Sequence, residues 1–122
     1  MREIKFRMWD KYLNAYSKNS MDIAYLSDKK YGIQTGDRYI LEQFTGLHDK
    51  NGKEIYEGDI VKHYSRNKKN GIEIIFNIEE GAWMLKYLPA GNIVSILNAY
   101  ESDELEIIGN IHENPELTGG ER

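Results

Sequence analysis

Cysteine is absent from this chain of 122 residues, and proline occurs only as Pro89 and Pro115. The first absence excludes disulfides and thiolate metal sites, and makes a reducing cytosol the expected compartment. Apolar runs are only a few residues long, far short of what a bilayer-spanning helix needs, so no membrane partner is expected. Charged residues punctuate the stretch from Met1 to Lys11, which leaves no room for the apolar core of a signal peptide. There is no excess of positive charge either. The formal net charge is −4, against the basic balance usual for a dedicated nucleic-acid binder.

The charge is unevenly placed. Lys62, Arg66, Lys68 and Lys69 share a run with no carboxylate between Asp59 and Glu73, whereas Glu101 to Glu116 carries six carboxylates and no lysine or arginine. Opposite charges on one small protein could steer head-to-tail self-association; solvated loops are the simpler expectation.

The pattern that remains is β. Ile4, Phe6 and Met8 alternate with Lys5, Arg7 and Trp9, a period of two that predicts a half-buried strand. Trp9 then lies on the face opposite Phe6, either as core or as an exposed anchor for a partner, and core is expected. Asp10 to Asn14 supplies a turn, with Ala15-Tyr16 returning antiparallel. Ser17 to Gly36 reads as loop with short strands. Tyr39 to Phe44 is apolar on both faces, which predicts a strand covered on both sides.

From there glycines set the corners. Gly46, Gly52 and Gly58 stand six apart, each beside a polar turn former. Asn51-Gly52 predicts a type I′ hairpin turn, and Glu57-Gly58-Asp59 repeats the device before a strand opening at Ile60-Val61. Ile72, Ile74, Phe76 and Ile78 share one face of the next strand, which Glu80-Gly81 turns back into Ala82 to Leu88, carrying Trp83. Ile93, Ile96, Leu97 and Tyr100 fall at helical spacing and predict a helix of about two turns. Leu105 to Ile111 is the last strand, with Gly109 marking a bulge or a close backbone approach. Asn114-Pro115 is the pattern of a cap followed by a first helical proline. Short strands with turns at this spacing point to a mainly β fold. The specific expectation is an SH3-like barrel or roll with an N-terminal β-hairpin extension and one or two short helical turns. One domain is expected over 1–122, with a β/loop part at 1–42, a barrel part at 43–117 and a frayed tail at 118–122.

Signals for chemistry are weak. His48, His63 and His112 have no zinc spacing. Asp49-Lys50-Asn51-Gly52 superficially resembles a calcium loop, but aligning Gly52 with the loop glycine puts Leu47 and Gly58 where ligands belong. Nucleophile elbows and phosphate-binding loops are absent. No enzyme and no cofactor are therefore expected. The run from Lys62 through Tyr64, Arg66 and Lys68 to Lys69 interleaves cations with an aromatic, as a single-strand nucleic-acid groove does. A solvated hairpin loop is the expectation, and a single-stranded nucleic-acid binder the alternative.

The segment QFTGLHDKNGKEIYEGDIV (residues 43–61) resembles the hallmark of the YopX family, small proteins of phages and prophages, mostly of Gram-positive bacteria. ELEIIGNIHENPEL (residues 104–117) resembles that family's second signature, and MREIKFRMWD is similar to its usual start. The resemblance implies a mainly β fold containing an SH3-like barrel, a phage-encoded cytoplasmic protein, oligomeric, with no catalytic residues. In it Gly46, Gly52, Gly58, Asp59, Gly109, Asn114 and Pro115 serve architecture. The function expected from the compact scaffold, the segregated charge and the aromatics is a non-catalytic accessory role through self-association and binding of a host or phage macromolecule, with the nine tyrosines, Trp9 and Trp83 as candidate contacts.

Overall fold

A computed structural model describes residues 4–17, 38–63, 71–98 and 102–118. Nine strands and one 3-10 turn account for most of them: β1 Phe6–Asp10, β2 Ala15–Tyr16, β3 Tyr39–His48, β4 Glu54–Tyr56, β5 Asp59–His63, β6 Ile72–Asn77, β7 Ala82–Tyr87, β8 Asn92–Ile96, β9 Leu105–Asn110, then Pro115–Thr118. The protein is mainly β, as the alternation predicts. The strands form a four-stranded sheet in the order β2-β1-β3-β4 and a five-stranded sheet in the order β8-β7-β6-β5-β9, which curls into a half barrel. The segment between Tyr16 and Tyr39 falls almost entirely outside the described residues, and with it the expectation for Ser17 to Gly36.

The core lies inside the curled sheet. Ile55, Val61, Ile72, Ile74, Leu85, Leu97 and Leu105 form one buried cluster, with Leu47, Trp83, Tyr87 and Ile107 against it. Ile72 and Ile74 face Tyr87 and Leu85 across the β6–β7 ladder. This is the cross-strand pairing that the period-two pattern demands. Each such side chain removed from water contributes roughly 1.5–3 kcal/mol.

The turns follow their glycines. Gly46, Gly52, Gly58 and Gly81 all have positive φ. The hairpin at Asn51-Gly52 is not the predicted type I′, however, because Asn51 is not in the left-handed region. Gly52 N–H donates to the Asp49 carbonyl (3.0 Å) and Asp49 N–H to the Lys53 carbonyl (2.8 Å). That is a three-residue loop closed by a left-handed glycine. Gly46 sits in the irregular stretch of β3, where its register against β4 shifts between Phe44 and His48.

Three further expectations are corrected. The helix predicted from Ile93 to Tyr100 is instead strand β8, paired with β7 (Met84 opposite Ile96, Lys86 opposite Ile93). Ile93 and Ile96 are 46% and 52% exposed, and Tyr100 lies outside the described residues. The spacing is helical, but β7 offered a ladder, and a register shift between Leu85 and Lys86 lets strand β8 carry the odd spacing. On β6 the apolar face outruns the core: Phe76 is 45% and Ile78 85% exposed. Ile4, ahead of β1, and Phe6 at its start are exposed, while Trp9 is buried with its neighbours Met8 and Asp10.

Candidate functional site

The most developed polar feature is a seam where the two sheets meet. Arg7 projects from β1 on the same face as Trp9, a consequence of strand alternation. Its cross-strand partner in the ladder is Glu42 of β3. Arg7 Nε donates to Glu42 Oε1 (2.8 Å), and Nη2 pairs with Asp59 Oδ1 of β5 (2.9 Å) and donates to the Glu57 carbonyl (3.3 Å). Tyr16 Oη of β2 donates to Glu42 Oε1 (2.9 Å), and His112 Nε2, beyond β9, lies 2.7 Å from Glu42 Oε2. The guanidinium sits between the rings of Tyr16 and Tyr56, 4.4 and 4.8 Å from their centroids. His112 stacks on Trp9 with centroids 4.6 Å apart and planes 9° from parallel. Five strands and two turns thus converge on a single cation and two buried carboxylates.

Gly58 makes room for this. A Cβ there would come within 2.6 Å of Glu42 Oε2, and its φ of 88° disfavours any side chain. Its backbone joins both sides: the N–H donates to the Ile74 carbonyl (2.8 Å), and its carbonyl accepts from Ile111 N–H (3.0 Å).

The electrostatics differ between the two acids. Burial pushes Glu42 upward, but hydrogen bonds from His112 and Arg7 with the Arg7 charge hold it below the ordinary glutamate value. For Asp59 burial wins over the pull of Arg7 and of Tyr56 N–H, and raises the carboxyl to about 6. Burial and the neighbouring Glu42 and Asp59 carboxylates push the Tyr16 phenol up. Glu57 is raised, chiefly by burial; its Oε1 accepts from Gln43 N–H (3.0 Å).

Beside the seam, Glu42, Glu57 and Glu73 with Ile40, Ile74 and Phe76 line a groove of about 240 Å³ between β3 and β6. Among the described residues no group of histidine and acidic side chains is arranged to hold a metal ion.

The sequence-predicted residues scatter. Lys62 is exposed on β5 opposite Glu106 of β9, and shares a pocket of about 180 Å³ with Lys50, Glu104 and Glu106. The acidic stretch therefore lies against the strand that leads into the basic run, within one molecule. Tyr64, Arg66, Lys68 and Lys69 lie outside the described residues. Trp9 is core, not an exposed anchor, at 4% exposure. Trp83 is half-buried, edge-on to Phe76 (4.9 Å).

The signature residues do have architectural contacts. Asp59 closes its turn by accepting from Tyr56 N–H (2.8 Å), and also pairs with Arg7. Gly109 leaves space for the Asn114 side chain, where a Cβ would collide. Asn114 does not cap the following turn with its side chain, as the sequence suggested. Its Oδ1 reaches back to Asn110 N–H (3.1 Å), while its carbonyl accepts from Leu117 N–H (3.0 Å) as Pro115 opens the 3-10 turn. The calcium-like Asp49 has both oxygens committed: Oδ1 to Asn51 and Lys53 N–H, Oδ2 to Ile107 N–H. Arg7, Glu42, Tyr16 and His112 were missed. Their one legible signal was a charge, Glu42, in a strand whose pattern already called for cover on both faces.

Among the described residues no helix is long and apolar enough to cross a membrane. None of the curated proteins compared matches the chain. A crystal structure of protein EF1440 from Enterococcus faecalis is similar, with 25% identity and a TM-score of 0.61 over 97% of this chain and 99% of that one. The match of residues 5–118 to the YopX protein family takes in residues 43–61, residues 104–117 and the second half of the opening segment, and the chain belongs to that family.

Proposed function

We propose that this is a phage- or prophage-encoded accessory protein of the bacterial cytoplasm that acts without catalysis, by associating with itself and binding another macromolecule. The scaffold is read as one domain over 1–122, with an SH3-like barrel over 43–117 and the seam fastening the part before it.

The observation that carries self-association is the difference between the edges of the five-stranded sheet. On β9 the edge is sealed: Ile107 N–H donates to Asp49 Oδ2 (2.9 Å), the Leu105 carbonyl accepts from Lys50 N–H (2.9 Å), and Glu106 adds charge. On β8, Asn-Ile-Val-Ser-Ile, there is no charge, no proline and no neighbour but β7 among the described residues. Sheets of monomeric proteins blunt such edges. Ile96 and Met84 stand side by side across the β7–β8 ladder, with Ile75 next in the same row, which adds apolar area to the bare edge. Support for a non-catalytic role comes from the seam, whose ionised groups are engaged with one another.

Light scattering over a concentration series tests this. The wild type should exceed monomer mass, and Ile96→Lys should return it to monomer; a strict monomer throughout refutes self-association. The nucleic-acid alternative has less support, because Glu106 faces Lys62 and offsets its charge. Oligonucleotide affinity at low salt, abolished by replacing Arg66, Lys68 and Lys69 with glutamate, would restore it.

A further inference from the structure

The groove between β3 and β6 is bordered by two strand edges that the sheets leave open. β3 pairs with β1 along Tyr39–Gln43, but with β4 only from Phe44 onward. Backbone groups alternate in direction along a strand. Phe44 N–H points to the Lys5 carbonyl on the β1 side, whereas Gln43 is engaged by Glu57 on the other. Tyr39 and Leu41, in phase with Gln43, therefore aim their N–H and C=O away from β1. Opposite them, the β5–β6 ladder stops at Glu73, and Gly58 takes the Ile74 carbonyl. Phe76, in phase with Ile74, turns its backbone to the same side. None of these groups on Tyr39, Leu41 or Phe76 has a hydrogen-bond partner among the described residues.

The space between has a definite chemistry. Its walls are Ile40, Ile74 and the half-exposed Phe76, and its carboxylates are Glu42, Glu57 and Glu73. Glu42 is engaged by Arg7, Tyr16 and His112, and Glu73 lies 3.8 Å from Lys86. Glu57 differs: it is half-buried, Oε1 holds the Gln43 amide, and Oε2 makes no hydrogen bond among the described residues. Open strand edges offer main-chain affinity, and apolar walls with one available carboxylate offer side-chain selection.

We propose that the β3–β6 groove binds an extended peptide of a partner protein, which pairs with the Tyr39–Leu41 edge, sets apolar side chains against Ile74 and Phe76, and presents a lysine or arginine to Glu57. This rests on the binding half of the function proposed above and supplies the class of partner. It is independent of β8, whose role light scattering reads separately.

The test is selection from a displayed library of random heptapeptides against the full chain, followed by anisotropy with the labelled winners. Enriched peptides should carry one lysine or arginine flanked by alternating apolar residues. Glu57→Gln should weaken them by at least about tenfold, as loss of one charge-assisted hydrogen bond does. Methylating alternate backbone nitrogens of the peptide should abolish binding with the protein itself unaltered. No enrichment over an unrelated bait overturns the proposal, as does binding indifferent to both Glu57→Gln and N-methylation. An oligomer that dissociates as peptide binds would assign the groove to a second copy and overturn the partner named here. If no peptide is enriched while the wild type still exceeds monomer mass, the groove fails and self-association stands.

Discussion

The seam around Arg7 and the core around Leu85 do similar work by opposite means. The core fastens β4, β5, β6, β7 and β9 to one another through side chains that make no polar demands: Ile55, Ile72, Ile74, Leu85 and Leu105 are fully buried. The seam fastens β1, β2 and β3 to the β4–β5 turn and to the segment after β9 through a cation, two carboxylates, a phenol and an imidazole. Apolar burial tolerates a substituted shape, because its energy scales with area and any hydrocarbon recovers part of it. A buried ion network does not, because each group exists to satisfy another. The apolar core of the half barrel should therefore be forgiving and pH-insensitive, and the attachment of the N-terminal sheet specific and pH-sensitive.

Arg7→Met is the most severe way to break the contrast. It strands Glu42 and Asp59 as buried carboxylates and should cost about 3–5 kcal/mol in urea denaturation. A loss below about 1 kcal/mol would mean that the seam is wet and ordinary. Leu85→Ala comes next, at about 2–5 kcal/mol with the same deficit at every pH, since it only opens a cavity. A deficit that varied with pH would join the two regions. Gly58→Ala should cost about 1–2 kcal/mol from its left-handed backbone alone, with a further loss as its methyl displaces the Glu42 carboxylate.

The pH profile sharpens the comparison without mutation. Asp59 is raised from 3.8 to about 6, so its contribution to stability is full below its unfolded value and is lost as pH rises through about 6. Glu57 shifts the same way. Glu42 is lowered, as is Asp49, so their contributions are present above the unfolded values and are lost as pH falls through the lower folded ones. Urea midpoints should rise on acidification from neutrality through the Asp59 titration, then fall steeply once Glu42 and Asp49 protonate. Asp59→Asn should remove much of the rise and leave the fall. The mildest change is Lys50→Ala. Its pair with Glu106, 3.8 Å apart and partly exposed, should be worth no more than about 0.5 kcal/mol.

Legibility followed the range of the forces. The β6–β7 hairpin was readable because its pattern and its turn at Gly81 are both local. So was the corner at Gly58, where glycine beside a turn-forming acid admits few backbones. Residues 92–96 were not readable, because Ile93 and Ile96 stand at helical spacing, and only the ladder offered by β7 makes them a strand. The seam was illegible for a different reason. Arg7, Glu42 and His112 stand 35 and 70 positions apart, and no local pattern announces which charge will meet which.

By itself the sequence determined the β class, the positions of the tight turns and the family, because alternation and left-handed glycines act within a few residues. Only the tertiary structure decided that β8 is a strand, that Trp9 stacks on an imidazole, and that Arg7, Glu42 and Asp59 share one buried site. Those outcomes depend on which distant surfaces exclude water from one another. A charge becomes a partner rather than a surface residue only when a second sheet closes over it.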